Sequence, residues 1–100
     1  MSKLTNAARG RPCLIRLPGC SGNNEQTVAC HYNTVSLGAG RGYKVGDWCA
    51  AWGCLPCHQL CDGQRRDKNL TRNEIRLAHA EGVLRTIGEL SRLGLIQVGE

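Results

Sequence analysis

Several common features are missing from this sequence, and their absence narrows the choice of protein class. It contains no Phe and only two Trp and two Tyr among 100 residues, so few large side chains are available for a core. No apolar run approaches the roughly 18 residues of a membrane span. The first 12 residues, MSKLTNAARGRP, have no apolar segment after the basic residue, which argues against a signal peptide. We expect one small cytoplasmic domain without internal repeats.

Cysteine is the residue that the chain has in excess. A domain of this size buries a limited share of its surface, so a metal or disulfides often supplement the core. The seven cysteines are an odd number, and a full set of disulfides would leave one thiol unpaired. In a reducing cytosol, clustered cysteines more often bind metal than form disulfides. The composition therefore favours a metal-stabilised domain.

Four cysteines form two pairs that suit a zinc site. Cys54 and Cys57 have the CxxC spacing of a zinc knuckle, and Cys13 and Cys20 bracket the Pro-Gly turn of CLIRLPGC. Structural zinc takes four N or S ligands in a tetrahedron, usually from two such pairs. A thioredoxin-like redox motif would need a βαβ context, which the sequence lacks. The remaining alternative is that these cysteines are buried free thiols that pack as small hydrophobes.

Three further cysteines lie outside these pairs. We predict Cys30 and Cys49 to be core residues. Because Cys61 follows Cys54 by seven residues, on a similar helical face, an exchange of zinc ligands stays open.

The positive charge is concentrated in the part of the chain that carries the cysteines. The formal net charge is +5, with 10 Lys and Arg against 4 Asp and Glu up to Arg72, and 3 against 4 thereafter. Such a distribution favours a polyanionic partner, first of all nucleic acid. The alternative is an ordinary basic surface.

The predicted secondary structure is mixed. TVACHYN and WCAAW are β-prone, and they flank the glycine-rich basic segment SLGAGRGYKVGD. Pro56 and Gly63 predict the start and end of a short helix. A capping box of Thr71 and Glu74 begins a longer helix to residue 93. LIQV, residues 95–98, suggests a short terminal strand.

One histidine–aspartate pair on the short helix suggests a metal site. His58 and Asp62 are four residues apart, so they share one helical face and could bind one divalent ion. A simple surface pair is the alternative. His31 lies in a predicted strand, and an imidazole has a pKa suited to general-base work.

The order of these motifs resembles the HNH endonucleases, which are also called His-Me finger nucleases. More closely, the chain is similar to the small YbcO-like nucleases of lambdoid phages and prophages, in the segments AARGRPCLIRLPGC, NNEQTVACH, GYKVGD, CLPCHQLCD and EGVLRT. The resemblance implies an α+β fold, with a zinc-stabilised ββα-metal core and a long C-terminal helix packed on it. We expect a single domain over residues 1–100, with a basic lead-in at 1–12, the zinc knuckle and core at 13–63 and a scaffold helix at 71–93.

The resemblance also implies roles for individual residues. His31 resembles the general base, and Asp47 the residue that orients it. His58 and Asp62 resemble catalytic metal ligands, with Cys30 as a further candidate where relatives often have Asp or His. The zinc positions match Cys13, Cys20, Cys54 and Cys57. We expect Mg²⁺ or Mn²⁺ at the catalytic site, with Ni²⁺ or Zn²⁺ as alternatives, because a thiolate prefers softer ions.

The function expected from this resemblance is metal-dependent DNA hydrolysis in the cytoplasm of a bacterial host, with no membrane partner and with a homodimer as an option. The residues expected to bind DNA phosphates are Arg9, Arg11, Arg16, Arg41, Lys44, Arg65 and Arg66. The alternative is a non-catalytic zinc module that binds nucleic acid or protein. Such a module would not require His31, His58 and Asp62 in this order.

Overall fold

The computed structural model describes residues 3–32 and 46–97. Along these residues, the elements are helix α1 (Lys3–Asn6), strand β1 (Val28–His31), strand β2 (Ala50–Gly53), helix α2 (Leu55–Asp62) and helix α3 (Arg72–Arg92). A single 3-10 turn, Asn24–Gln26, precedes β1. The result is a small α+β structure with a two-stranded sheet and a long C-terminal helix.

The two strands form an antiparallel hairpin whose register places Cys30 opposite Ala51 and His31 opposite Ala50. All four residues of β2 are buried, because α3 packs against this strand more extensively than any other helix does. Gly53 ends β2 where a side chain could not fit. A Cβ atom there would lie 2.6 Å from Cδ1 of Ile15 and 2.8 Å from Sγ of Cys30. The hairpin therefore packs closely on the segment that carries the first cysteine pair.

Helix α2 follows β2 directly and begins where the sequence predicts. Cys54 is its N-cap, a proline lies in the first turn, and Gly63 ends the helix in the left-handed conformation. The guanidinium of Arg72 donates to the carbonyl oxygens of Leu60 and Cys61, at 3.2 and 2.9 Å. A cation at this end of a helix satisfies free carbonyls and opposes the negative end of the helix dipole. Arg72 thereby ties the end of α2 to the start of α3.

The predicted capping box begins α3. Oγ1 of Thr71 accepts from the backbone N–H of Glu74, whose carboxylate accepts from the N–H of Thr71. The buried side of the helix is Ile75, His79, Gly82, Val83, Thr86 and Leu90. Gly82 permits close packing, since a Cβ atom there would lie 3.1 Å from the Cβ of Ala51. Leu77 and Leu84, which are seven residues apart on α3, are exposed. A homodimer in which a second copy of the chain covers them stays a prediction.

Cysteine takes the place of large apolar residues in the core. Five of the seven cysteines, Cys30, Cys49, Cys54, Cys57 and Cys61, are buried in one cluster with residues such as Ile15 and Leu60. A second, smaller cluster packs around Trp52 and Leu90. Within the described ranges, no helix combines the length and the apolar character that crossing a bilayer requires.

The structure differs from one local expectation, and another falls largely outside the described residues. The terminal strand predicted at residues 95–98 is absent at 95–97, where the chain turns instead; Leu95 donates its N–H to the carbonyl of Leu90 and so closes the end of α3. The apolar residues of this segment pack on the second cluster through Ile96 without forming a strand. The glycine-rich segment lies outside the described residues, apart from its last two.

Candidate metal and nuclease site

The two cysteine pairs meet at the start of α2. One sulfur from each of Cys13, Cys20, Cys54 and Cys57 lies within 4.8 Å of all the others. The thiols of Cys54 and Cys20 are close enough to hydrogen-bond, with 3.5 Å between sulfurs. Four thiolates in this arrangement could hold a metal ion such as zinc.

The backbone around this cluster favours negatively charged sulfur. A hydrogen bond from the Cys57 thiol, aided by nearby backbone N–H groups, lowers the pKa of Cys13 to about 4. The same bond, together with burial, raises the pKa of Cys57. At each of the four sulfurs, a backbone N–H group acts to lower the pKa of the thiol, among them Arg16 at Cys13, Gly22 at Cys20, Ser21 at Cys54 and Leu17 at Cys57. Such bonds stabilise thiolates, which are the form that binds metal.

The knuckle also explains an unusual backbone conformation at Arg16. Its φ of 61° is the only positive value for a non-glycine residue in residues 3–32 and 46–97. This left-handed turn brings the N–H of Arg16 to the sulfur of Cys13. Residues other than glycine rarely adopt this conformation. The contact between the Arg16 backbone and the Cys13 sulfur therefore stabilises this conformation.

His31, at the end of β1, forms a pair with Asp47, which precedes β2. Nε2 of His31 lies 2.9 Å from Oδ1 of Asp47, and both side chains are partly exposed. A carboxylate only accepts hydrogen bonds, so Nε2 carries the proton in this contact. The lone pair of the neutral ring is then on Nδ1. This arrangement orients an imidazole as a base.

The second pair lies on α2. Nε2 of His58 is 3.0 Å from Oδ2 of Asp62, one helical turn further along, and both side chains are accessible. Helix α2 packs against β1. Both side chains are exposed enough for an ion to reach them. The structure therefore places the imidazole and the carboxylate of this pair together, as their spacing predicts.

The three remaining cysteines are buried. Sγ of Cys30 points toward the carbonyl oxygen of Val28, at 3.7 Å, and burial raises the pKa of this thiol. Burial likewise raises the pKa of Cys49, and that of Cys61 to about 11. A buried, protonated thiol packs as a small hydrophobe. These environments favour the core interpretation over a ligand role for Cys30, which stays a prediction.

The arginines expected to bind DNA fall in separate places. Arg11 is engaged within the molecule: its Nε donates to the carbonyl of Ala7, and its guanidinium lies 5.6 Å from the centre of the Trp52 ring. Arg16 lines a hollow with Arg85 and Glu89. Arg9 is exposed on the N-terminal segment. Arg41 and Lys44 lie outside the described residues.

Arg65 and Arg66 lie together beside α2. They line a hollow of about 780 Å³ together with Lys68, Arg72 and apolar residues such as Leu60 and Ile75. Among the residues that the structure describes, the side chains of Arg65, Arg66 and Lys68 have no ion-pair partner. The sequence reasoning singled out the two arginines and missed Lys68.

His79 is a buried polar residue that the sequence reasoning also missed. Its Nε2 lies 2.9 Å from the carbonyl oxygen of Cys30, and its ring packs edge-on against Tyr32, with centroids 5.0 Å apart. Burial lowers the pKa of His79, and Asp62 and His58 are close enough to influence it electrostatically. Its spacing of four from both Ile75 and Val83 was the available signal, because a polar residue on the buried side of a helix needs an explanation.

Comparisons with known proteins show the family to which the chain belongs. Residues 2–95 match the model of a family described as "Putative nuclease YbcO". Two curated relatives of that name, from Escherichia coli K12 and from Enterobacteria phage 82, are each 38% identical over 87 residues, which cover 86% of this chain and 88% of theirs. A solved structure, described as "a putative bacteriophage protein" from Escherichia coli K-12, superposes with a TM-score of 0.71 at 33% identity, over 90% of this chain and 98% of that one.

Proposed function

The chain belongs to the family described as "Putative nuclease YbcO", and on that premise we propose that it is a metal-dependent DNA endonuclease of the HNH type. The observation that carries the proposal is the contact of 2.9 Å between His31 and Asp47 at the end of the strand that packs on α2. A nuclease of this class needs a base, an ion and a phosphate-binding surface. The described residues include candidates for the base, for the ligands of the ion and for the phosphate-binding surface.

His31 is the proposed general base. Asp47 holds the proton on Nε2 and fixes the direction of the ring, so Nδ1 can accept a proton from water as the water attacks phosphorus. The partial exposure of both side chains leaves room for the water and for a phosphodiester. The carboxylate also stabilises the imidazolium that forms after proton transfer.

His58 and Asp62 are the proposed ligands of the catalytic ion. In an octahedral ion, neighbouring ligand atoms lie about 3 Å apart when each is about 2.1 Å from the metal. Nε2 of His58 and Oδ2 of Asp62 already lie 3.0 Å apart, so their positions fit such an ion. When bound, a divalent cation would offset negative charge on the phosphate and on the leaving oxygen. One imidazole and one carboxylate suit Mn²⁺ as well as Mg²⁺, with Ni²⁺ and Zn²⁺ as alternatives.

The order of elements supports a ββα-metal fold. β1 carries the base, β2 follows in an antiparallel hairpin, and α2 carries the metal ligands. The two halves also meet through α3, since His79 bonds to the residue before His31 and lies within electrostatic range of Asp62. Arg65, Arg66 and Lys68 form the proposed phosphate-binding surface beside α2.

Structural zinc is proposed to fix where α2 begins. Cys54 is the N-cap of the helix and Cys57 lies in its first turn, directly before His58. Zinc bound there would anchor the first turn of α2 to the knuckle that carries Cys13 and Cys20. That anchor would restrict the position of His58, which is one residue from a zinc ligand.

The test is cleavage of supercoiled plasmid DNA by purified protein, with Mg²⁺, Mn²⁺ or Ni²⁺ added, or with EDTA. We expect nicked and then linear DNA with at least one of the ions and none with EDTA. No cleavage with any ion, by protein that still holds zinc and binds DNA, would contradict the proposal and favour a non-catalytic zinc module.

A further inference from the structure

The buried imidazole of His79 contacts the residues on both sides of His31. On one side, Nε2 lies 2.9 Å from the carbonyl oxygen of Cys30. On the other, the ring packs edge-on against Tyr32, with an angle of 75° between the ring planes. His79 lies on α3 and is 8% exposed. It is 49 residues away from Cys30 in the sequence.

The direction of the hydrogen bond follows from its partner. A carbonyl oxygen can only accept, so Nε2 of His79 must carry the proton and donate it. Burial lowers the pKa of His79, and a neutral ring with this tautomer suffices for the contact. Replacing the donor by an apolar group would leave the carbonyl of Cys30 without this partner.

We propose that His79 is a positioning residue, which fixes the end of β1 and thereby the ring of His31 for catalysis. The inference rests on the proposed function, because it assigns His79 a part in the same reaction. His79 touches neither the water nor the phosphate in this account; it acts through the backbone. The proposal explains why a polar side chain occupies the buried side of α3 between Ile75 and Val83.

The short hairpin makes such a support necessary. β1 has four residues, and His31 is its last. Beyond it, Tyr32 donates its N–H to the carbonyl of Cys49, at 2.9 Å. A strand end held by few bonds can shift, and a misplacement of about 1 Å can cost a catalytic group roughly 100-fold in rate. The contacts of His79 with Cys30 and Tyr32 limit that movement.

The experiment compares His79→Leu and His79→Gln with the wild type. Leucine fills the space but removes the donor, whereas the amide nitrogen of glutamine can reach a similar position and donate. We expect His79→Leu to lower kcat for plasmid cleavage about 10- to 100-fold, with KM for DNA within about two-fold. His79→Gln should recover most of the lost kcat.

Thr86→Val is the matched control. Thr86 also lies on the buried side of α3 and also bonds to the sheet, accepting from the N–H of Trp52 at 3.0 Å and donating to the carbonyl of Gly82. Neither of these bonds involves Cys30, His31 or Tyr32. A general loosening of the fold would lower kcat in both variants, whereas positioning of His31 predicts a loss in His79→Leu alone. Zinc content and thermal unfolding confirm that each variant is folded.

Amide hydrogen exchange keeps the inference separate from the proposed function. In His79→Leu, exchange at Tyr32 should accelerate, while exchange along the first half of α3 stays as in the wild type. Equal kcat in His79→Leu and wild type, failure of glutamine to restore a lost kcat, or an equal loss in Thr86→Val would overturn the proposal. If the wild type cleaves no DNA, the proposed function fails, and the exchange data alone test the role of His79. Unchanged exchange at Tyr32 in His79→Leu would overturn the positioning role as well. Faster exchange there would support the claim that His79 holds the end of β1.

Discussion

Nε2 of His31 lies 2.9 Å from Oδ1 of Asp47, although 15 residues separate the two in sequence. The strand register explains this proximity. His31 is opposite Ala50, the first residue of β2, and Asp47 precedes Ala50 by three residues. An Asp–His contact of this kind selects one tautomer of the ring. In the proposed reaction, that selection decides which nitrogen can act as the base.

The first prediction concerns Asp47→Asn. The amide is similar in size to the carboxylate but can present an N–H, which would favour the tautomer with its lone pair on Nε2. It also cannot stabilise the imidazolium. We expect kcat for DNA cleavage to fall at least about ten-fold with little change in DNA affinity, measured by nicking and by fluorescence anisotropy. Unchanged kcat would contradict the orienting role of Asp47.

The second prediction concerns the catalytic ion and compares two aspartates. Asp62→Asn removes a charged oxygen ligand, so we expect the Mg²⁺ or Mn²⁺ concentration for half-maximal cleavage to rise about ten-fold or more. Asp67→Asn is the control. Oδ1 of Asp67 accepts from the N–H of Asn69 at 2.8 Å, and asparagine keeps that acceptor. An equal shift in both variants would indicate a general charge effect in place of a ligand role.

The third prediction concerns zinc and compares two cysteines of α2. Cys57→Ser should lose the metal and unfold or lower Tm by at least about 10 °C, because structural zinc contributes on the order of 10 kcal/mol to folding. Cys61→Ser should retain one zinc per chain, since Cys61 lies outside the four-sulfur cluster. Zinc is measured with a colorimetric chelator after denaturation. Loss of zinc from Cys61→Ser would show that Cys61 exchanges into the site.

The fourth prediction concerns the surface beside α2. Each phosphate contact contributes nearly one unit to the slope of log Kd against log salt concentration. The double variant Arg65→Gln, Arg66→Gln should therefore bind DNA more weakly, with a slope reduced by about two. Arg92→Gln is the control, because Arg92 already pairs with Glu89 at 2.7 Å. Equal slopes in wild type and double variant would exclude this surface from DNA binding.

The sequence is most informative where a pattern is local. The capping box of Thr71 and Glu74, and the proline and glycine that bound α2, predict their helices because these signals act within a few residues. His58 and Asp62 follow from helical spacing alone. The cysteine pairs are local too, and their convergence follows from the demand of zinc for four ligands.

What the sequence did not reveal depends on contacts between distant segments. His79 and Cys30 meet only because α3 crosses the hairpin, and Thr86 bonds to Trp52 for the same reason. Arg11 was expected to bind phosphate, but its position over Trp52 could not be read from charge alone. The apolar pattern of residues 95–98 predicts a strand, yet residues 95–97 turn, and the N–H of Leu95 bonds to the end of α3.

The central claim is that His31 is the base that activates water, and the most direct test replaces it. Wild-type protein and His31→Ala, each with its zinc content and Tm verified, are incubated with supercoiled plasmid and the best activating ion. General-base catalysis contributes about 100- to 10,000-fold, so the account predicts that nicking by His31→Ala falls by that factor while DNA binding persists. Nicking at the wild-type rate by His31→Ala, with the same dependence on metal, would contradict it.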